Sequence, residues 1–117
     1  MSEEITSSKY EQLVAALQDI QGVQFAEYEW RTRPDGDFGT VQIDYEALPD
    51  EGDDTKVDRA FEGSVDLFTH GKKMMTVAAV ESALATVCGA SWYLNSEQYE
   101  HETGLIHREF VFQLETR

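Results

Sequence analysis

A chain of 117 residues with 41% hydrophobic content is the size of one domain, able to bury a single core without staples. Nine basic against 23 acidic residues give a net charge of −14, a field that repels nucleic acid and anionic membranes and argues against direct DNA binding. One cysteine excludes a disulfide framework or a multi-thiolate zinc site within the chain, and no run is apolar for long enough to span a bilayer.

The N-terminal MSEEITSSKYEQ lacks the basic and apolar regions of a signal peptide, so a soluble protein made inside a cell is expected. Residues 1–7 read as a flexible tail ahead of a single domain. Ser8 and Glu11 have capping-box spacing, which predicts a helix beginning there. Tyr10, Leu13, Val14, Leu17 and Ile20 form its apolar stripe, and Gly22 stands where a cap glycine belongs. Val23 to Trp30 is rich in strand formers, but its alternation slips, so a bulge near Phe25–Ala26 is expected. RTRPDGDFG, residues 31–39, is a turn.

In the next strand Val41, Ile43, Tyr45 and Ala47 are expected on one face, and Gln42, Asp44 and Glu46 on the other. Leu48 to Thr55 is an acidic loop. Val57 to Phe68 forms a further strand, with Val65 and Leu67 inward and Asp58, Glu62 and Asp66 outward. A turn at His70–Gly71 hands over to a second helix from about Lys72 to Cys88, with Val77, Val80, Leu84 and Val87 on one stripe. Gly89 caps it. Trp92 to Tyr99 and Leu105 to Glu115 close the chain as a hairpin turning near Thr103–Gly104. The order α-β-β-β-α-β-β predicts an α+β fold, two helices packed on one face of a mainly antiparallel sheet.

Catalytic signatures are missing from the sequence: it has no GxSxG, no Gly-rich phosphate loop and no HExxH, and no enzyme or cofactor is expected. Cys88 reads as a small buried hydrophobe. His101 and His107 flank the last turn and read as solvated side chains rather than metal ligands. Asp50, Glu51, Asp53 and Asp54 have the acidity of a calcium loop but not the ligand spacing of one.

The second helix is less ordinary. Met75, Ala78, Ala79, Ser82, Ala85 and Thr86 lie opposite its core stripe, and between Lys72 and Gly89 the only carboxylate is Glu81. A chain this acidic would place several carboxylates on a solvated face, so a subunit or partner interface is expected there. Lys72 and Lys73 oppose the helix dipole, at a cost of a few tenths of a kcal/mol up to about 1 kcal/mol each. Their partner is either Asp66 or Glu62 in the same chain or the Asp50–Asp54 loop of a neighbouring copy, since complementary patches favour head-to-tail rings. Asp44, Glu46, Asp58, Glu62 and Asp66 on adjacent strands would repel one another unless register dilutes them.

The strand-to-helix unit VDLFTHGKK, residues 65–73, followed by a helix through Ala83–Leu84, resembles the small tail-terminator or tail-completion proteins of long-tailed bacteriophages. The acidic EGDDTKVD before it and the closing YEHETGLIHREFVFQLE are also similar to that family. The resemblance spans nearly the whole chain and implies a structural role in the virion. It implies a ring, usually a hexamer, that caps the tail tube, ends its polymerisation and meets the head connector protein at the tail end or neck. Assembly would occur in the host cytoplasm, with DNA passing without specific binding through a lumen that the acidic sheet face or the loop of Asp50, Glu51, Asp53 and Asp54 would line. A small acidic adaptor or inhibitor of a basic partner is the alternative from another class.

Overall fold

This computed structural model describes residues 2–47 and 60–115, the side chains of residues 2–8 and of Ala47 excepted. The elements follow the expected order: α1 (Ser2–Gln18), β1 (Gln24–Glu27), β2 (Phe38–Ala47), β3 (Ala60–Thr69), α2 (Met74–Cys88), β4 (Trp92–Glu100) and β5 (Leu105–Glu115). The strands make one sheet in the order β1-β2-β3-β5-β4, with β1–β2 parallel and every other pair antiparallel. Both helices pack on one face, and the other face is open.

The core lies between the helices and the sheet. Leu13 and Leu17 of α1 and Val77, Val80, Ala83 and Leu84 of α2 meet Val41, Val65, Leu67, Phe110, Phe112 and Leu114. Complete burial of Phe110 and Phe112 contributes about 1.5–3 kcal/mol each. Two glycines make room for aromatic rings here. A Cβ on Gly39 would sit 2.3 Å from the Phe25 ring, and one on Gly63 would sit 2.5 Å from the Phe112 ring and 2.3 Å from the Gln42 carbonyl.

Three expectations change. α1 begins at Ser2, not Ser8, and so takes in residues 2–7. A capping box needs non-helical backbone at its serine, and the chain at Ser8 is already helical. The slip in the 23–30 alternation is not a bulge at Phe25–Ala26. β1 pairs regularly for four residues and stops at Tyr28, whose φ of 68° turns the chain out of the strand. The parity of β2 is broken instead, by an irregularity between Ile43 and Tyr45. Val41 and Ile43 therefore face the helices, while Tyr45 pairs with Glu62 on the open face and is 55% exposed. A second irregularity between Leu94 and Ser96 does the same to β4.

Candidate functional site

α2 is an amphipathic helix of an unusual kind. Val77, Val80, Ala83 and Leu84 are buried against the sheet, with Val87 packed beside them. Met75 is 89% exposed and Met74 61%, and Ala78, Ser82, Ala85 and Thr86 are exposed, with Ala79 half-buried. The face expected to be uncharged is thus turned to solvent. Its first turn holds no acid and its last turn no base.

Lys73 is the N-cap residue in the left-handed conformation, φ 48° and ψ 54°, and its side chain caps nothing. Its ammonium reaches neither Asp66 nor Glu62. It donates to Asp37 Oδ2 at 2.7 Å, while Asp37 Oδ1 accepts from the His70 backbone N–H at 2.8 Å and lies 2.9 Å from His70 Nδ1. Burial by itself would push the Asp37 carboxyl up. The hydrogen bonds from Lys73 and from the backbone and ring of His70 together outweigh it and hold the carboxyl below its ordinary value. Asp37 thus supplies from a loop the negative charge that the helix's own first turn lacks. The sequence signal for it was thin: one aspartate among the acidic residues of a turn. Lys72 is exposed and makes no ion pair among the described residues. Asp50, Glu51, Asp53 and Asp54 lie outside the described residues.

The open face holds an arrangement that strand alternation did not reveal. Phe38, Phe68 and His107 are cross-strand neighbours on β2, β3 and β5. Their rings stack at centroid distances of 4.8 Å and 4.1 Å, and the Arg33 guanidinium lies 5.4 Å from the Phe38 ring centre. The 28–37 connection lies along this face, where Trp30 Nε1 donates to the Gly39 carbonyl at 3.0 Å. Between connection and sheet runs a groove of about 450 Å³ lined by Tyr28, Glu29, Trp30, Thr40, Asp66 and Phe68, among others. The readable clue was a pair of aromatics, Phe38 and Phe68, on the polar parity of their strands.

The repulsion expected of Asp44 and Glu46 against Glu62 and Asp66 does not arise, because Thr40 stands opposite Asp66, Tyr45 opposite Glu62 and Phe61 opposite Glu46. Like charges meet instead where Asp66 of β3 faces Glu109 of β5. His107 relieves that contact. Its Nε2 lies 2.7 Å from Asp66 Oδ1 and its Nδ1 3.5 Å from Glu100 Oε2, while Asn95 donates to Glu109 at 2.8 Å. The hydrogen bond to Asp66 raises the His107 pKa, partial burial opposes this, and the fields of Asp66, Glu100 and Glu109 add to the rise. Glu62 accepts from Gln113, and Tyr45 stands opposite it. The acidic face is therefore diluted by neutral donors and one imidazole.

Cys88 is half-buried, and burial raises its thiol pKa to about 11, against a small opposing effect of Lys9. That is the reverse of nucleophile activation. His101 packs edge-on to Tyr99 at 5.0 Å, apart from the His107 cluster. On the helix face Arg108 is 2% exposed, donating to the Thr69 hydroxyl at 3.3 Å and pairing with Glu97 at 3.2 Å. No helix among the described residues is long and apolar enough to cross a membrane.

The sequence matches no protein-family model and no curated protein. Among solved structures, the fold is similar to that of a chain in the virion of a native gene transfer agent particle, with a TM-score of 0.51 at 15% sequence identity. The match covers 95% of this chain and 92% of the other. At that identity the likeness establishes a shared fold.

Proposed function

We propose that the chain is a structural protein of a phage or phage-like virion: a ring-forming subunit that caps the tail tube, ends its polymerisation and joins tail to head. The observation that carries this reading is the near end-to-end correspondence with a virion chain, which covers 95% of one and 92% of the other. A shared motif would cover a fragment; here the whole domain corresponds. The exposed, uncharged face of α2 adds to it, as a surface suited to another protein rather than to water.

In this reading six copies close a ring through Met75, Ala78, Ala79, Ser82 and Ala85, with Lys72 at its edge. The tail tube protein and the head connector are its axial neighbours. The chain's charge of −14 keeps passing DNA from sticking to the lumen. Lys73 leaves the inter-copy charge pairing, because Asp37 of its own chain holds it.

Purified chain mixed with tail tubes of its own particle should form rings at tube ends, visible by electron microscopy. Ala78→Glu with Ser82→Glu should fold normally and form none. A chain that neither self-associates nor binds tubes would sink the reading. The net charge of −14 also suits a small adaptor for a basic partner, for which the same experiment gives a monomer or dimer indifferent to tubes.

A further inference from the structure

The reading above leaves open what the exposed corner of α2 meets on the next copy. Each copy presents two unlike surfaces on opposite sides of the sheet. One is the start of α2, where Met75 is 89% exposed beside Lys72, which makes no ion pair among the described residues. The other is the groove on the open face, with aromatic walls at Tyr28, Trp30 and Phe68, two carboxylates, Glu29 and Asp66, and two basic side chains, His107 and the Arg33 that lies over the Phe38 ring. Asp66 is bound to His107, whereas Glu29 makes no ion pair among the described residues.

We propose that the groove of one copy receives Met75 and Lys72 of the next, with Lys72 paired to Glu29. This rests on the ring reading. Symmetry and local charge together select the arrangement. Two copies at −14 each repel as whole bodies, so a contact must be locally complementary. Groove against groove, or helix corner against helix corner, is a contact of a surface with its own copy, which closes as a dimer and builds no ring, and the second of these would also oppose Lys72 to Lys72. The corner-to-groove contact joins Lys72 to Glu29, neither of which has an ion-pair partner among the described residues. It also joins an exposed methionine to an aromatic-walled cleft, and thioether–aromatic contacts are favourable. Because the two surfaces differ and lie on opposite faces, every bound copy still offers one of each. That is the head-to-tail condition for a closed ring.

The test uses two variants of the full chain. Met75→Glu spoils the corner and leaves the groove intact. Thr40→Arg fills the groove, opposite Asp66 in the β2–β3 register, and leaves the corner intact. Both positions admit solvent, and circular dichroism of each variant checks folding. By sedimentation velocity each variant alone should associate at least about tenfold more weakly than the wild type. Their equimolar mixture should form a dimer and nothing larger, because a single good junction remains.

Lys72→Glu should lose association, and adding Glu29→Lys should restore it. Either spoiled variant assembling at wild-type strength overturns the proposal, as does a mixture that stays monomeric while the wild type assembles. Both results leave the ring reading standing. A wild type that is monomeric with and without tail tubes overturns the ring reading, and this proposal with it.

Discussion

The Asp37 carboxylate, its side chain 4% exposed, and the His107 imidazole each gather charge from strands or loops far away in sequence. Asp37 draws in Lys73 and His70, and so ties the loop before β2 to the start of α2. His107 faces Asp66 on β3, Glu100 on β4 and Glu109 on its own strand, and stacks on Phe68. Its folded pKa is raised above the ordinary 6.5. The stability it contributes is therefore complete below 6.5 and is lost as pH rises through the folded value. Denaturant unfolding from about pH 6 to about pH 9 should show the wild type losing its advantage over His107→Gln as pH climbs. Parallel profiles for the two proteins would refute this.

At the scale of the element, β3 depends on a residue with no side chain. Gly63 lies between β2 and β5, and Phe112 lies across the space a Cβ would take. The Gln42 carbonyl at 2.3 Å is backbone and cannot swing away, so Gly63→Ala must move β2 or the Phe112 ring. Overpacking of this kind costs about 1–3 kcal/mol. The variant's denaturation midpoint should fall accordingly with an unchanged slope. An unchanged midpoint would mean that the sheet relaxes freely there. α2 is the complementary case: its buried stripe is fixed by spacing, whereas Met74 and Met75 stand largely exposed among the described residues.

For the whole molecule, charge sets the terms of any assembly. One exposed Lys–Glu pair is worth about 0.2–1 kcal/mol, and added salt weakens it. Repulsion between copies carrying −14 each is also screened by salt, whose Debye length is about 8 Å at 0.15 M. The repulsion involves many more charges, so screening it prevails. Association of wild-type copies, followed by sedimentation, should tighten between low and physiological ionic strength. A steep weakening would mean that ion pairs, not apolar contact, hold the copies together.

Much of this was legible in the sequence because it is local. The stripe Val77, Val80, Leu84, the alternation of Val65 and Leu67, the glycine after α2 and the turn before β5 each need only a few neighbouring residues, and they yield the order of elements and the α+β layering. The same periodicity marked the uncharged face of α2. Other features depend on pairing across the sheet, and only the tertiary structure decided them. The shifts at Ile43/Tyr45 and Leu94/Ser96 turn side chains to the opposite face, because a strand has period two and one extra residue inverts it. Asp37 meets Lys73 across 36 positions, and Asp66 meets His107 across 41. No local pattern can rank one carboxylate above 22 others as the partner of a given cation. Strand order and register make that choice, and with it they place the aromatic groove opposite the helices.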